Sequence, residues 1–244
     1  MSIRHIARSC TVAFAIVLGP GIAHAVTTTR SATILTFSQR DTGGAPYEAR
    51  MLITPQYLRM DNGADGGGFI LLNRATRTIY SVSRTDRTIL VITPEKIAFP
   101  RPARFRQRVM KSRRAFPAVA GKRVVHYTFF TNGKRCFDVY AAAGLLPDVV
   151  AALREYQRVL AGEQAITEAR TPRSMRSVCD LSNYIFRPAR YLDFGFPVRQ
   201  KDDTGASRQL LNFRTAVPVA SSLFALPSHY RRYSLGQMTG SAGP

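Results

Sequence analysis

The chain has 244 residues, with 35 Lys+Arg against 15 Asp+Glu, a formal charge of +20 and a sequence pI near 11.0. An apolar fraction of 45% excludes a wholly disordered basic tail, which lacks the side chains to bury a core. No apolar run long enough to span a bilayer occurs outside the N-terminus, which excludes a multi-span membrane protein.

Residues 1–25 read as a signal peptide. Arg4, His5 and Arg8 form a positive start, Cys10 to Leu18 a short apolar core, and Gly19-Pro20-Gly21 a helix break. Ala23 and Ala25 are the small residues before the expected cleavage point. The apolar core is half the length of a membrane anchor. Cleavage after Ala25 leaves 219 residues with 33 Lys+Arg and 15 acids, a charge of +18. The expected location is periplasmic. Of three cysteines only Cys136 and Cys179 remain, and in an oxidising compartment two cysteines most simply form one disulfide.

From residue 31 onward the pattern is β-meander. Strands are expected at 32–37, 47–53, 57–60 and 69–72, separated by Asp41-Thr42-Gly43-Gly44, by Pro55 and by a glycine turn at 61–68. Arg74-x-x-Arg77-Thr78-Ile79 recurs ten residues later as Arg84-x-x-Arg87-Thr88-Ile89, so each copy opens one arm of a hairpin, with strands at 78–82 and 88–92. Residues 96–123 hold ten Lys/Arg, three prolines and no acid; they read as an irregular crossing with one edge strand at 104–109. A hairpin follows around Asn132-Gly133. Pro147 and Asp148 then open the clearest helix, whose apolar face is Val149, Leu153, Tyr156 and Leu160, with Gly162 as its C-cap. A weaker helix is expected from Pro172 to Phe186, which makes the helical insert about 147–187. A last hairpin turns at 202–205, and 236–244 reads as a disordered tail. The chain divides as a leader, one β-rich domain at 26–235, and that tail.

Chemistry-bearing motifs are few. Asp-Thr-Gly occurs at Asp41-Thr42-Gly43 and again at Asp203-Thr204-Gly205, the triplet by which aspartic proteases bring two carboxylates to share one proton. Here both copies have solvated flanks rather than a buried apolar strand before them, so they read as turns. Asp61-Asn62-Gly63-Ala64-Asp65-Gly66 opens like a calcium loop, but its third position is Gly63 and its twelfth is Leu72 where a glutamate is needed. After the leader only His126 and His229 remain, too few for zinc. No nucleophile elbow, P-loop or dinucleotide fingerprint is present. The reading is of a non-enzymatic protein with no catalytic residue, metal or cofactor; the alternative is a hydrolase without a recognisable catalytic motif.

Three readings stand for the basic stretch. Phe99, Phe105 and Phe116 interleave with its cations as in single-strand nucleic-acid binders, but export makes nucleic acid an unexpected partner. The segment also suits contact with an anionic membrane surface, glycan or envelope protein, through Arg104, Arg106, Arg108, Arg113 and Arg114. The third reading is a solvated face.

Gln56-Tyr57-Leu58-Arg59-Met60-Asp61, the glycine turn, Phe69-Ile70-Leu71-Leu72-Asn73 and Thr78-Ile79-Tyr80-Ser81-Val82 resemble successive hairpins of the periplasmic lipoprotein-carrier superfamily, LolA/LolB-like. Phe196-Pro197-Val198 and Phe224-Ala225-Leu226-Pro227-Ser228-His229-Tyr230 resemble its later strands. The resemblance implies a mainly β fold, an antiparallel half-open β-barrel with one or two helices covering one side. It also implies an apolar or amphipathic envelope ligand, such as a lipid, held in the concavity. Tyr80, Val82, Leu90 and Phe129 are the candidate lining residues. No position matches the carriers' ligand-contacting arginine.

Overall fold

The computed structural model describes residues 28–64, 67–96, 99–102 and 104–234. The expected leader and the expected tail lie outside the described residues.

Among the described residues twelve strands form one open sheet: β1 (Thr29–Arg40), β2 (Tyr47–Ile53), β3 (Tyr57–Asp61), β4 (Phe69–Asn73), β5 (Thr78–Ser83), β6 (Thr88–Ile92), β7 (Gln107–Lys111), β8 (Val124–Thr131), β9 (Lys134–Ala142), β10 (Phe196–Asp202), β11 (Ser207–Ala220) and β12 (Arg231–Tyr233). Their spatial order is β12-β6-β5-β4-β3-β2-β1-β11-β10-β9-β8-β7. Two antiparallel meanders, β1 to β6 and β7 to β11, are joined where the two longest strands, β1 and β11, pair. β12 adds to β6 in parallel. The fold is mainly β, with an open rather than closed sheet.

The turn chemistry explains the register. Arg77 and Arg87, the same position of the two repeat copies, both adopt left-handed backbone, φ 52° and 51°. The repeat is therefore one turn geometry used twice. Asn132 and Gly133 are both left-handed, φ 51° and 85°, as a two-residue hairpin turn that follows strand twist requires.

Two helical pieces join the sheet. The first, α1 (Pro147–Arg170), is followed by a helical run at Val178–Asp180 and Leu181–Phe186, here α2. α1 meets β2, β3, β5, β6 and β10, so the sheet wraps around it from one wing to the other. Leu35, Phe37, Met51, Leu58, Leu72, Ile79 and Leu153 are buried between them in the main core. The opposite face of β4 to β6 carries a second core of Phe69, Leu71, Val82 and Ile89, which the segment around Phe224 covers. β4 meets a core on each face, as its unbroken apolar run Phe69-Ile70-Leu71-Leu72 demands.

α1 runs eight residues beyond the expected C-cap at Gly162. Gly162 is buried in mid-helix, and a Cβ there would lie 2.7 Å from the Glu95 Cβ and 2.8 Å from its carbonyl oxygen. The glycine is a close crossing of the residue 93–96 segment over the helix, not a helix end. The second expected helix is broken: a turn at Arg173–Met175 precedes α2. β7 lies a few residues later than 104–109. A disulfide joins Cys136 of β9 to Cys179 of α2, as expected, and fastens that helical run to the sheet.

Candidate functional site

An opening between sheet and helix lies at the N-terminal end of α1. Ile53 ends β2, and Thr54 makes the turn into β3 by accepting from the backbone N–H groups of Gln56 and Tyr57 at 3.3 and 2.9 Å. Across from them the chain enters α1 through Leu146, a left-handed residue with φ 48°, and Pro147 in the first turn. A left-handed leucine costs roughly 1–2 kcal/mol, so the surroundings must hold it. Both central strands are irregular at this level: their register shifts between Ala32 and Ile34, and Ala216 has φ 55°. Bulges of this kind bend strands apart beside functional openings.

These elements surround an opening of about 610 Å³, whose walls include Ile53, Pro55, Leu146 and Val149. Arg74 stands at its side. It donates to both carboxylate oxygens of Glu155 on α1, at 2.7 and 2.9 Å, and to the Thr54 carbonyl at 3.1 Å. The Glu155 hydrogen bonds hold the Arg74 pKa above its ordinary value, outweighing the opposing effect of burial. This clamp ties the turn after β4 to the helix beside the mouth.

The four candidate lining residues do not meet. Tyr80 and Val82 pack into the second core, beneath the C-terminal segment, whereas Leu90 and Phe129 face the α1 side. Phe129 is fully buried against Phe137 and Phe194. The Arg190 guanidinium lies 5.0 Å from its ring centroid. Arg190 is itself buried and donates to Asn183 Oδ1 at 3.2 Å; burial, then nearby Arg187, pushes its pKa down to about 10. Strand alternation alone cannot say which face of β5 and β6 turns toward the helix, which is why the candidates split.

The basic segment lies at one edge of the sheet. Arg104, Arg106, Arg108, Arg113 and Arg114 are all exposed, and so are Val109 and Met110 of edge strand β7. Asn132 holds the segment by accepting from the Arg106 N–H and donating to the Arg104 carbonyl, each at 2.8 Å. The interleaved rings are engaged inside the protein. Phe99 and Phe105 pack on Phe186, and Phe116 sits edge-on against Tyr140 at 5.0 Å. His126 stacks on Tyr140 and contacts Asp138 Oδ1 at 2.7 Å. Burial opposes the Asp138 charge, but Arg135, His126 and Thr128 together hold its pKa below the ordinary carboxylate value.

The first residue of the calcium-like loop, Asp61, is also engaged. Its carboxylate accepts from Arg50, from Arg59 at 2.6 Å and from the Gly63 N–H. No group of three metal-ligating side chains occurs among the described residues.

The structure thus defines a mainly β protein with an open sheet wrapped on a helix and a mixed apolar–polar mouth at one end. No protein-family model matches the chain, and no curated protein matches it. Among solved structures it is similar to an uncharacterised conserved protein from Thermus thermophilus, with 10% identity and a TM-score of 0.42 over 86% of this chain and 91% of that one. It is also similar to PNGF-II in two crystal forms, at 7% and 6% identity and TM-scores of 0.44 and 0.43 over 86% of this chain. The match spans only about a third of PNGF-II, 32% and 33% of its length.

Proposed function

We propose that the protein is an exported, periplasmic binding protein that takes an apolar or amphipathic envelope ligand, with its sheet serving as a half-open barrel around α1. The observation that carries this reading is the opening of about 610 Å³ between the sheet and the first turn of α1. It falls within the range of ligand sites, roughly 300–1,000 Å³. Apolar walls at Ile53, Leu146 and Val149 suit a hydrocarbon portion, and the serine and threonine groups at the rim suit a polar end. The leader and the disulfide support export.

The test is organic extraction of the purified protein followed by mass spectrometry, together with titration of a fluorescent fatty acid. A co-purified lipid, or saturable binding that Val149→Arg weakens at least tenfold, supports the proposal. Absence of both overturns it.

A second reading has its own observation, the exposure of all five candidate arginines beside the open edge of β7. Here the segment contacts an anionic membrane surface or envelope protein. Replacing Arg104, Arg106 and Arg108 with Ser would then reduce binding to phosphatidylglycerol vesicles without changing the melting temperature.

A further inference from the structure

A cluster of basic and polar side chains, apart from the basic segment, lies on the sheet face turned away from α1. β10, β11 and β1 are neighbours there, and their registers align six side chains. Arg199, Gln209 and Ser38 form one row, and Lys201, Ser207 and Arg40 the next. Adjacent strands lie about 4.8 Å apart, and residues two apart on a strand are about 6.8 Å apart. Three cations therefore share a patch two strand spacings wide, with two hydroxyls and an amide between them. These six side chains line a cleft of about 280 Å³, together with Pro46, Gly205 and Arg208.

Among the described residues no carboxylate lines the cleft. The acids that pair in register with this grid are Glu48, opposite Ser38, and Asp138, opposite Lys201. Glu48 ends the first row on the same face but does not line the cleft, and Asp138 is already held by Arg135 at 2.6 Å and by Thr128 at 2.9 Å. The aspartates of the bordering turns are similarly occupied: Asp41 accepts from Tyr47, Asp202 from the backbone of its own turn, and Asp203 pairs with Lys134. Among the described residues Arg40 and Lys201 have no ion-pair partner, and Arg199 only faces the Tyr140 ring at 5.7 Å. Like charges crowded without a counter-charge favour a bound anion.

From this grid we infer a binding site for a phosphate monoester group. A guanidinium presents paired N–H donors to phosphate oxygens, a lysine adds a point charge, and the two serine hydroxyls donate between them. A three-oxygen dianion engages more of these donors than a carboxylate does. The group reaches the cleft either as a free phosphate ester or as the headgroup of a phospholipid.

The test uses inorganic phosphate, followed by backbone amide shifts of the isotopically labelled protein. Two sets of vesicles accompany it: phosphatidylcholine alone, and phosphatidylcholine with phosphatidic acid. Saturable shifts centred on Ser38, Ser207 and Gln209 are expected. Replacing Arg40, Arg199 and Lys201 with Ser should weaken phosphate binding at least tenfold while the melting temperature holds. Replacing Arg104, Arg106 and Arg108 with Ser removes the same charge elsewhere and should leave phosphate binding unchanged. Equal weakening by both triple variants would mean a net-charge effect and overturn the site, as would phosphate shifts scattered over the surface. Phosphate binding without vesicle binding assigns a soluble ester. Binding of phosphatidic acid vesicles that the cleft variant alone abolishes assigns a lipid headgroup. Neither kind of binding overturns the site.

Discussion

The hydroxyls of Thr42 and Thr204 lie 2.7 Å apart, so two Asp-Thr-Gly turns 162 residues apart in sequence touch at their tips. The triplets do come together, but not by sharing a proton between carboxylates. Asp41 accepts from Tyr47, and Asp203 pairs with Lys134 at 2.8 Å. The contact clasps the ends of two hairpins flanking the β1–β11 pair. Both threonines are exposed, and an exposed hydrogen bond contributes little, about 0.5–1.5 kcal/mol. Thr42→Val should cost no more than that. Amide exchange should quicken at Gly44 and Gly205, whose N–H groups close these turns, and stay unchanged along β1 and β11. Loosening of the whole sheet would contradict this account.

Arg59 and Asp61 form the most buried ion pair of the second face. The Arg59 guanidinium lies 3.9 Å from the Phe69 ring centroid and also donates to the Leu223 carbonyl, so it ties the C-terminal segment to β3. Asp61→Asn leaves Arg59 without its counter-charge and should destabilise by about 3–5 kcal/mol. The pH dependence has a definite sign. Burial opposes the Asp61 charge, but Arg50 and Arg59 outweigh it and keep the folded pKa below the ordinary value. Such a group contributes its full stabilisation above the unfolded pKa, about 3.9, and loses it as pH falls through the lower folded value. Acid unfolding of the wild type should therefore be steeper than that of Asp61→Asn in circular dichroism titrations.

The Cys136–Cys179 disulfide closes a 43-residue separation that contains all of α1. In the chain-entropy model a loop of that size is stabilised by roughly 3–4 kcal/mol. The Cys136→Ser, Cys179→Ser double variant should fall in stability by about that amount. Protection should be lost first at 178–186, because the bond is what fixes α2 to β9. A loss spread evenly over β1 to β6 would argue against that local role.

The strands were legible because alternation and turn residues act locally: the Arg77 and Arg87 turns and the Asn132-Gly133 hairpin follow from their own sequence. What was not legible depends on contacts distant in sequence. Gly162 looks like a helix stop until Glu95 is placed beside it. Tyr80 and Leu90 look equivalent until α1 and the C-terminal segment take opposite faces. The grid of Arg40, Arg199 and Lys201 comes from strands far apart in the chain, and no local motif announces it.

Gly162 supplies a prediction against local propensity. Alanine favours a helix interior over glycine by about 1 kcal/mol. Yet the added methyl would overlap the Glu95 backbone, and overpacking costs about 1–3 kcal/mol. Gly162→Ala should therefore lower the midpoint of urea unfolding. A rise would show that the 93–96 segment can move off the helix freely.

The next residue sharpens the same crossing. Glu163 is buried, and its Oε2 finds no hydrogen-bond donor among the described residues. Burial, then the nearby Glu95 charge, raises its pKa, with Arg170 only partly opposing. A carboxylate whose folded pKa is raised subtracts stability above that pKa, and the penalty fades as pH falls through it. Glu163→Gln removes the charge and keeps the shape. At pH 7 it should raise the melting temperature. The advantage should shrink toward pH 4, where the glutamate of the wild type is itself protonated. A gain that persists unchanged at pH 4 would point to packing, and no gain at pH 7 would mean that Arg170 already neutralises the site.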